Sequence, residues 1–121
     1  MTAKKRKTLK DYEREHRQLA RRLSDLGFLW QGSISRRLIR CGNPACACRD
    51  DPQARHGPYT YWTTKREGRT ISRKLAEEEA DLLTQWVDNR RDLKEITDQM
   101  MELAREALPL ALEARKRDGI S

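Results

Sequence analysis

Cys41, Cys46 and Cys48 fall within eight positions of one another, and His56 follows after seven further residues. Three cysteines this close cannot all pair with one another, and a reducing compartment disfavours disulfides, so their clustering points to a metal. Three thiolates and one imidazole form the ligand set that zinc takes in closed tetrahedral structural sites. Gly42, Asn43 and Pro44 are turn formers, suited to folding the chain back so that two sulfurs reach one ion. A closed site leaves no coordination position for water and therefore no Lewis-acid chemistry. The expected cofactor is a structural Zn2+ held by Cys41, Cys46, Cys48 and His56. Asp50 or Asp51 remains an alternative fourth ligand, less usual beside three thiolates, and an iron–sulfur cluster is one cysteine short of its usual four.

The elements on either side follow from periodicity. Thr8 and Asp11 stand in the positions of a capping box, opening a helix that is expected to run to Leu26 with Gly27 as its stop. Leu9, Tyr12, His16, Leu19, Leu23 and Leu26 form one stripe on it. A strand is expected near Ser33–Arg40, and Pro44 and Pro52 keep the ligand loop irregular. Tyr59 to Thr64 alternates with a period of two, Glu67-Gly68 supplies a turn, and Arg69 to Leu75 returns as the second strand of a hairpin. From Ala76 the chain is strongly helix-forming. Leu82, Trp86, Asn89, Leu93, Ile96, Met100, Leu103 and Ala107 make a second stripe in steps of three and four. Pro109 is expected to kink or end this helix.

The fold class is therefore α+β: a small zinc-stabilised β-hairpin module between an N-terminal helix and a long C-terminal helix, the helices packed as an antiparallel, coiled-coil-like hairpin. The expected boundaries are a disordered basic tail over residues 1–7 and a single domain over 8–121. Within that domain the helix covers 8–26, the zinc-binding module 30–75, the long helix 76–108 and a frayed tail 109–121. No stretch approaches the ~20 apolar residues that cross a bilayer, and the chain lacks a secretion-signal pattern, so it is expected to be cytoplasmic and free of membrane.

Charge is distributed unevenly. Residues 1–40 carry twelve Lys/Arg against four Asp/Glu, residues 41–75 seven against three, and residues 76–121 seven against twelve. The first two thirds thus face a polyanion more readily than the last. Arg36, Arg37, Arg40, Arg49, Arg55, Lys65, Arg66, Arg69, Arg73 and Lys74 surround the metal module, and Lys4, Lys5, Arg6 and Lys7 form a basic arm. Together they are candidate phosphate contacts. Tyr59 and Tyr61 share a strand face and are expected to pack on the helices. Trp62, on the opposite face, is then the surface aromatic that completes the candidate nucleic-acid-binding set.

The string Cys41-Gly42-x-x-x-Cys46-x-Cys48, followed by His56-Gly57-Pro58-Tyr59, a hairpin and a long helix, resembles a family of small, uncharacterised bacterial proteins. Gly32-Ser33 at the strand start belongs to the same pattern, and the resemblance spans about Gly27 to Leu103. Members are similar to proteins found beside transposase and integrase genes on mobile elements, which implies a nucleic-acid-related or accessory role and the same metal ligands. The expected function is a non-catalytic, zinc-containing DNA-binding or recombination and transposition accessory protein. Its expected partners are DNA, a transposase or integrase, and a second copy in a homodimer. The alternative is a protein–protein adaptor that assembles through its coiled-coil helices. With His16 on a packing stripe and His56 committed to metal, no acid–base pair suggests an enzyme.

Overall fold

The computed structural model describes residues 6–119. Lys4, Lys5 and the rest of Met1–Lys5 lie outside the described residues. Helix α1 spans Leu9–Ser24, strand β1 Ser33–Ile39, two short 3-10 turns Ala47–Arg49 and Pro52–Ala54, strand β2 His56–Arg66, strand β3 Arg69–Lys74 and helix α2 Glu77–Asp118. The fold is α+β, as the sequence indicates. No described helix is long and apolar enough to cross a membrane.

The chain divides into two compact units. One holds the described residues up to Gly27 and from Arg91 onward, the other Phe28–Arg90. Helix α2 contributes its first turns to the second unit and the remainder to the first.

In the helical unit, Thr8 and Asp11 form the expected capping box. The Asp11 amide donates to Thr8 Oγ1 at 3.3 Å and the Thr8 amide to Asp11 Oδ2 at 2.8 Å. Lys7 is not a free tail residue, since its Nζ lies 3.0 Å from Glu15, whose hydrogen bond raises the Lys7 pKa. The helix ends at Ser24 with Asp25 as its cap, earlier than the expected stop at Gly27. Ser24 Oγ donates back to the Arg21 carbonyl at 2.8 Å, and the Leu26 amide donates to the Leu23 carbonyl, so the last turn tightens before the glycine is reached. Residues of α1 and of α2 line common grooves. One is lined by Leu9, Tyr12, His16, Met100, Leu103 and Ala107, among others. No residue of α1 is fully buried, whereas Ile96 of α2 is 2% exposed.

Helix α2 does not end near Leu108. It runs through Pro109 to Asp118. A proline removes one backbone hydrogen bond and crowds the preceding turn, at about 3 kcal/mol. Leu108, Leu110, Ala111, Leu112 and Ala114 are strong helix formers around it, and Arg115, Lys116 and Arg117 suit the negative end of the helix dipole.

In the Phe28–Arg90 unit the three strands form one antiparallel sheet in the order β1-β2-β3. Ser33 pairs with Thr63, Ser35 with Tyr61 and Arg37 with Tyr59; Tyr61 pairs in turn with Lys74, and Thr63 with Ser72. Glu67 and Gly68, both at positive φ, make the β2–β3 turn. Leu75, Ala80 and Leu83 form the core, with Ile34, Trp62 and Trp86 packed against it. The ring of Trp30 lies 5.8 Å from Trp62 and 6.2 Å from Trp86.

The α2 stripe is displaced here by comparison with the sequence reading. Leu82 is 52% exposed, while Ala80, Leu83 and Val87 are buried. These turns face a sheet, and the residues that meet a flat strand surface differ from those that continue a helix–helix seam. Asn89, the polar member of the expected stripe, donates from Nδ2 to the Phe28 carbonyl at 2.9 Å. It anchors the entry of the chain into this unit.

Candidate functional site

The ligand loop leaves β1 at Ile39 and returns as β2 at His56, and these two residues pair across the sheet. Asn43 organises the first bend. Its Oδ1 accepts the Ala45 amide at 3.0 Å and its carbonyl accepts the Cys46 amide at 3.0 Å. Cys46 precedes the first 3-10 turn and Cys48 lies within it. Asp51 caps the second turn, its Oδ1 accepting the Gln53 amide at 2.9 Å. That role takes the Asp51 carboxylate into the backbone of the loop, and neither Asp51 nor Asp50 joins the ligand cluster.

The cluster is Cys41, Cys46, Cys48 and His56, with all four ligand atoms within 4.8 Å of one another. Cys41 Sγ lies 3.5 Å from Cys48 Sγ, and Cys46 Sγ lies 3.4 Å from His56 Nε2. Bonds of about 2.3 Å to sulfur and 2.0–2.1 Å to nitrogen give a tetrahedron with edges of about 3.5–3.8 Å. These two edges are close to those of such a tetrahedron. Cys48 is 1% exposed and accepts the Cys41 amide at 3.4 Å, a contact that stabilises a sulfur bearing negative charge. The donors are soft, so the arrangement suits a thiophilic ion and not calcium or magnesium.

Gly57 allows the imidazole to stand so close to the sheet. Its φ is +112°, and a Cβ there would lie 2.8 Å from the Tyr59 nitrogen and 2.9 Å from the Arg37 carbonyl oxygen. Any side chain at this position would push β2 away from β1 directly beside a ligand.

The sheet has two unlike faces. Alternation along the strands sets Ile34, Trp62, Thr64 and Ile71 on one side, with Trp62 packed on the core and its Nε1 donating to the Gln31 carbonyl at 2.7 Å. This reverses the expected assignment, in which Trp62 was the solvent-facing aromatic and Tyr59 and Tyr61 were core. The other side presents Ser33, Ser35 and Arg37 from β1, Tyr59, Tyr61, Thr63 and Lys65 from β2, and Thr70, Ser72 and Lys74 from β3. None of these is buried. Lys74 Nζ sits 3.6 Å from the centroid of the Tyr59 ring, and the Arg37 guanidinium carbon 5.0 Å from that of Tyr61. Arg37 also donates to Ser35 Oγ at 3.1 Å and to Thr63 Oγ1 at 3.2 Å.

The basic candidates are thereby sorted. Arg37, Lys65 and Lys74 lie on the tyrosine face. Arg36, Arg66, Arg69 and Arg73 occupy the other register positions, and Arg73 is committed to a two-bond pair with Glu79 at 3.0 and 3.1 Å. Arg40 and Arg49 flank a concavity of about 190 Å³ against Cys48. Arg55 is half-buried, and its Nε has no hydrogen-bond partner among the described residues. Arg6 and Lys7 belong to the helical unit.

A family model described as a domain of unknown function, DUF6788, matches residues 9–85 of the chain. No curated protein and no solved structure shows a match.

Proposed function

The chain belongs to the DUF6788 family, and we propose that it is a non-catalytic DNA-binding protein, a recombination or transposition accessory, whose binding surface is the tyrosine face of the sheet and whose ligand cluster holds one structural zinc. The juxtaposition of Tyr59 and Tyr61 with Arg37 and Lys74 on an unburied strand face carries this reading. Cations meet phosphate there and aromatic rings meet bases, the two elements of sequence-tolerant nucleic-acid binding. Zinc is the ion that three thiolates and an imidazole select in closed sites, and it would pin the end of the sheet at which Tyr59 and Arg37 pair.

Reversing both cations, with Arg37→Glu and Lys74→Glu, is expected to weaken retention of a DNA fragment in a gel shift by about tenfold or more. The slope of log affinity against log salt should shallow by about two. Both side chains are exposed, so the melting curve should move little. Unchanged retention by the folded double variant would remove the proposed surface.

The helical unit favours a second reading, an adaptor that assembles with a second copy. Its α1 stripe buries no residue, and Met101, Leu108 and Leu112 of α2 are 60%, 56% and 48% exposed. Sedimentation at high salt is expected to give a dimer for the wild type and a monomer for the Leu19→Asp, Leu23→Asp variant. A monomeric wild type would end this reading.

A further inference from the structure

We propose that the tyrosine face selects single-stranded over duplex nucleic acid, seating successive unpaired bases on Tyr59 and Tyr61. The inference rests on the nucleic-acid reading and specifies its substrate.

Tyr59 and Tyr61 stand two residues apart on one strand and project from the same face. Two residues of strand span about 6.6–6.8 Å, close to twice the 3.4 Å spacing of stacked bases along a strand of duplex DNA. Rings at that separation are too far apart to lie on adjacent bases of a closed stack, and they match neighbouring bases of a strand that has been pulled open. Both rings are half-buried, and each has the end of an exposed cationic side chain over it: Lys74 over Tyr59 and Arg37 over Tyr61. A base arriving on the ring displaces the cation sideways, toward the phosphate that the same nucleotide brings with it. The stacking surface and its counter-charge are thus supplied by one pair of residues per nucleotide.

The surroundings suit a thin, flat ligand. Ser35, Thr63 and Ser72 form a low hydroxyl floor beside the rings, with Thr63 Oγ1 3.3 Å from Ser72 Oγ. No large apolar side chain shares the face. A closed duplex offers this surface only its backbone, since its base faces are already stacked. Thymine and uracil present the same kind of ring face, so the chemistry is that of an unpaired base, from DNA or from RNA.

The test is fluorescence anisotropy of the full, zinc-loaded chain with labelled oligo-dT, oligo-U and a mixed-sequence DNA duplex, each about twelve nucleotides or base pairs long. Both single strands, or one of them, are expected to bind about tenfold or more tightly than the duplex, and the tighter of the two identifies the natural sugar. Tyr59→Ala and Tyr61→Ala should each weaken single-strand binding by about five- to a hundredfold and duplex binding by much less, so that the preference for the single strand shrinks. Tyr59→Phe and Tyr61→Phe should retain it, since the ring face is kept. Equal affinity for strand and duplex, with the alanine variants neutral but the Arg37→Glu, Lys74→Glu variant still defective, would overturn the single-strand inference and leave the DNA-binding reading standing. Failure of every probe to bind the folded protein would overturn both.

Discussion

Cys48→Ser is expected to abolish stoichiometric metal binding and to lower the melting temperature of the Phe28–Arg90 unit by about 10–25 °C. The estimate follows from a loss of about 3 kcal/mol or more at about 4–8 °C per kcal/mol for a unit of this size. Cys48 is the ligand at which the effect should be greatest. It is 1% exposed, its sulfur touches Cys41 Sγ and accepts the Cys41 amide, and it sits in the short turn that folds the loop. The loop has little else to hold it. Of its residues from Cys41 to Arg55, Cys48 alone is buried, so few apolar contacts replace the ion. A serine hydroxyl is a far poorer zinc ligand than a thiolate, and without the ion it leaves a polar group in a buried position. Thermal unfolding followed by circular dichroism, with and without a chelator, measures the effect. A Cys48→Ser protein that melts with the wild type and is indifferent to chelator would show that packing alone holds the loop.

Trp62→Ala should cost about 3–5 kcal/mol, whereas Tyr61→Ala should cost about 1–2 kcal/mol, the value of a half-buried ring with a cation over it. The contrast reads the two faces of the sheet directly. Trp62 packs on Leu75, Ala80 and Leu83, meets Trp30 in a tilted ring pair and satisfies the Gln31 carbonyl, so its removal opens a cavity and orphans an acceptor. Tyr61 is half-buried on the polar face, with the Arg37 guanidinium over its ring. Urea unfolding followed by far-ultraviolet circular dichroism is the suitable measurement, because tryptophan fluorescence is itself altered by the first variant. Equal losses, or a larger loss at Tyr61, would restore the opposite assignment of the faces.

The ligand cluster was legible because chemistry, not packing, dictates it: few explanations other than a metal bring three thiols and an imidazole together in so short a span. The capping box at Thr8 and the Glu67-Gly68 turn were legible for a similar reason, being local and stereochemical. The faces of the sheet were misjudged because tyrosine and tryptophan suit either side of a strand when β2 is considered alone. The signal lay in its neighbours. Ser33, Ser35 and Arg37 on β1 and Thr70, Ser72 and Lys74 on β3 are polar at alternate positions, while Ile34 and Ile71 fall between them. Whichever β2 residues pair with the polar sets must face outward, and these are Tyr59, Tyr61, Thr63 and Lys65.

Helix α2 illustrates a different obstacle. A single heptad stripe runs along its sequence, and from Leu93 to Ala107 that stripe is the more buried side. Nearer its start the helix packs on a sheet, and Leu83 and Val87 replace Leu82 as the buried positions. One amphipathic pattern cannot describe a helix that serves two units. Pro109 misled in the opposite direction, since a local penalty of about 3 kcal/mol was outweighed by the helix formers and terminal basic residues around it.

The most direct measurement is elemental analysis of purified, reduced protein combined with X-ray absorption at the metal edge. One zinc per chain is expected, with three sulfur neighbours at about 2.3 Å and one nitrogen at about 2.0–2.1 Å. Protein that folds fully while containing no stoichiometric metal, or a metal shell built mainly of oxygen, would contradict a sheet anchored by Cys41, Cys46, Cys48 and His56.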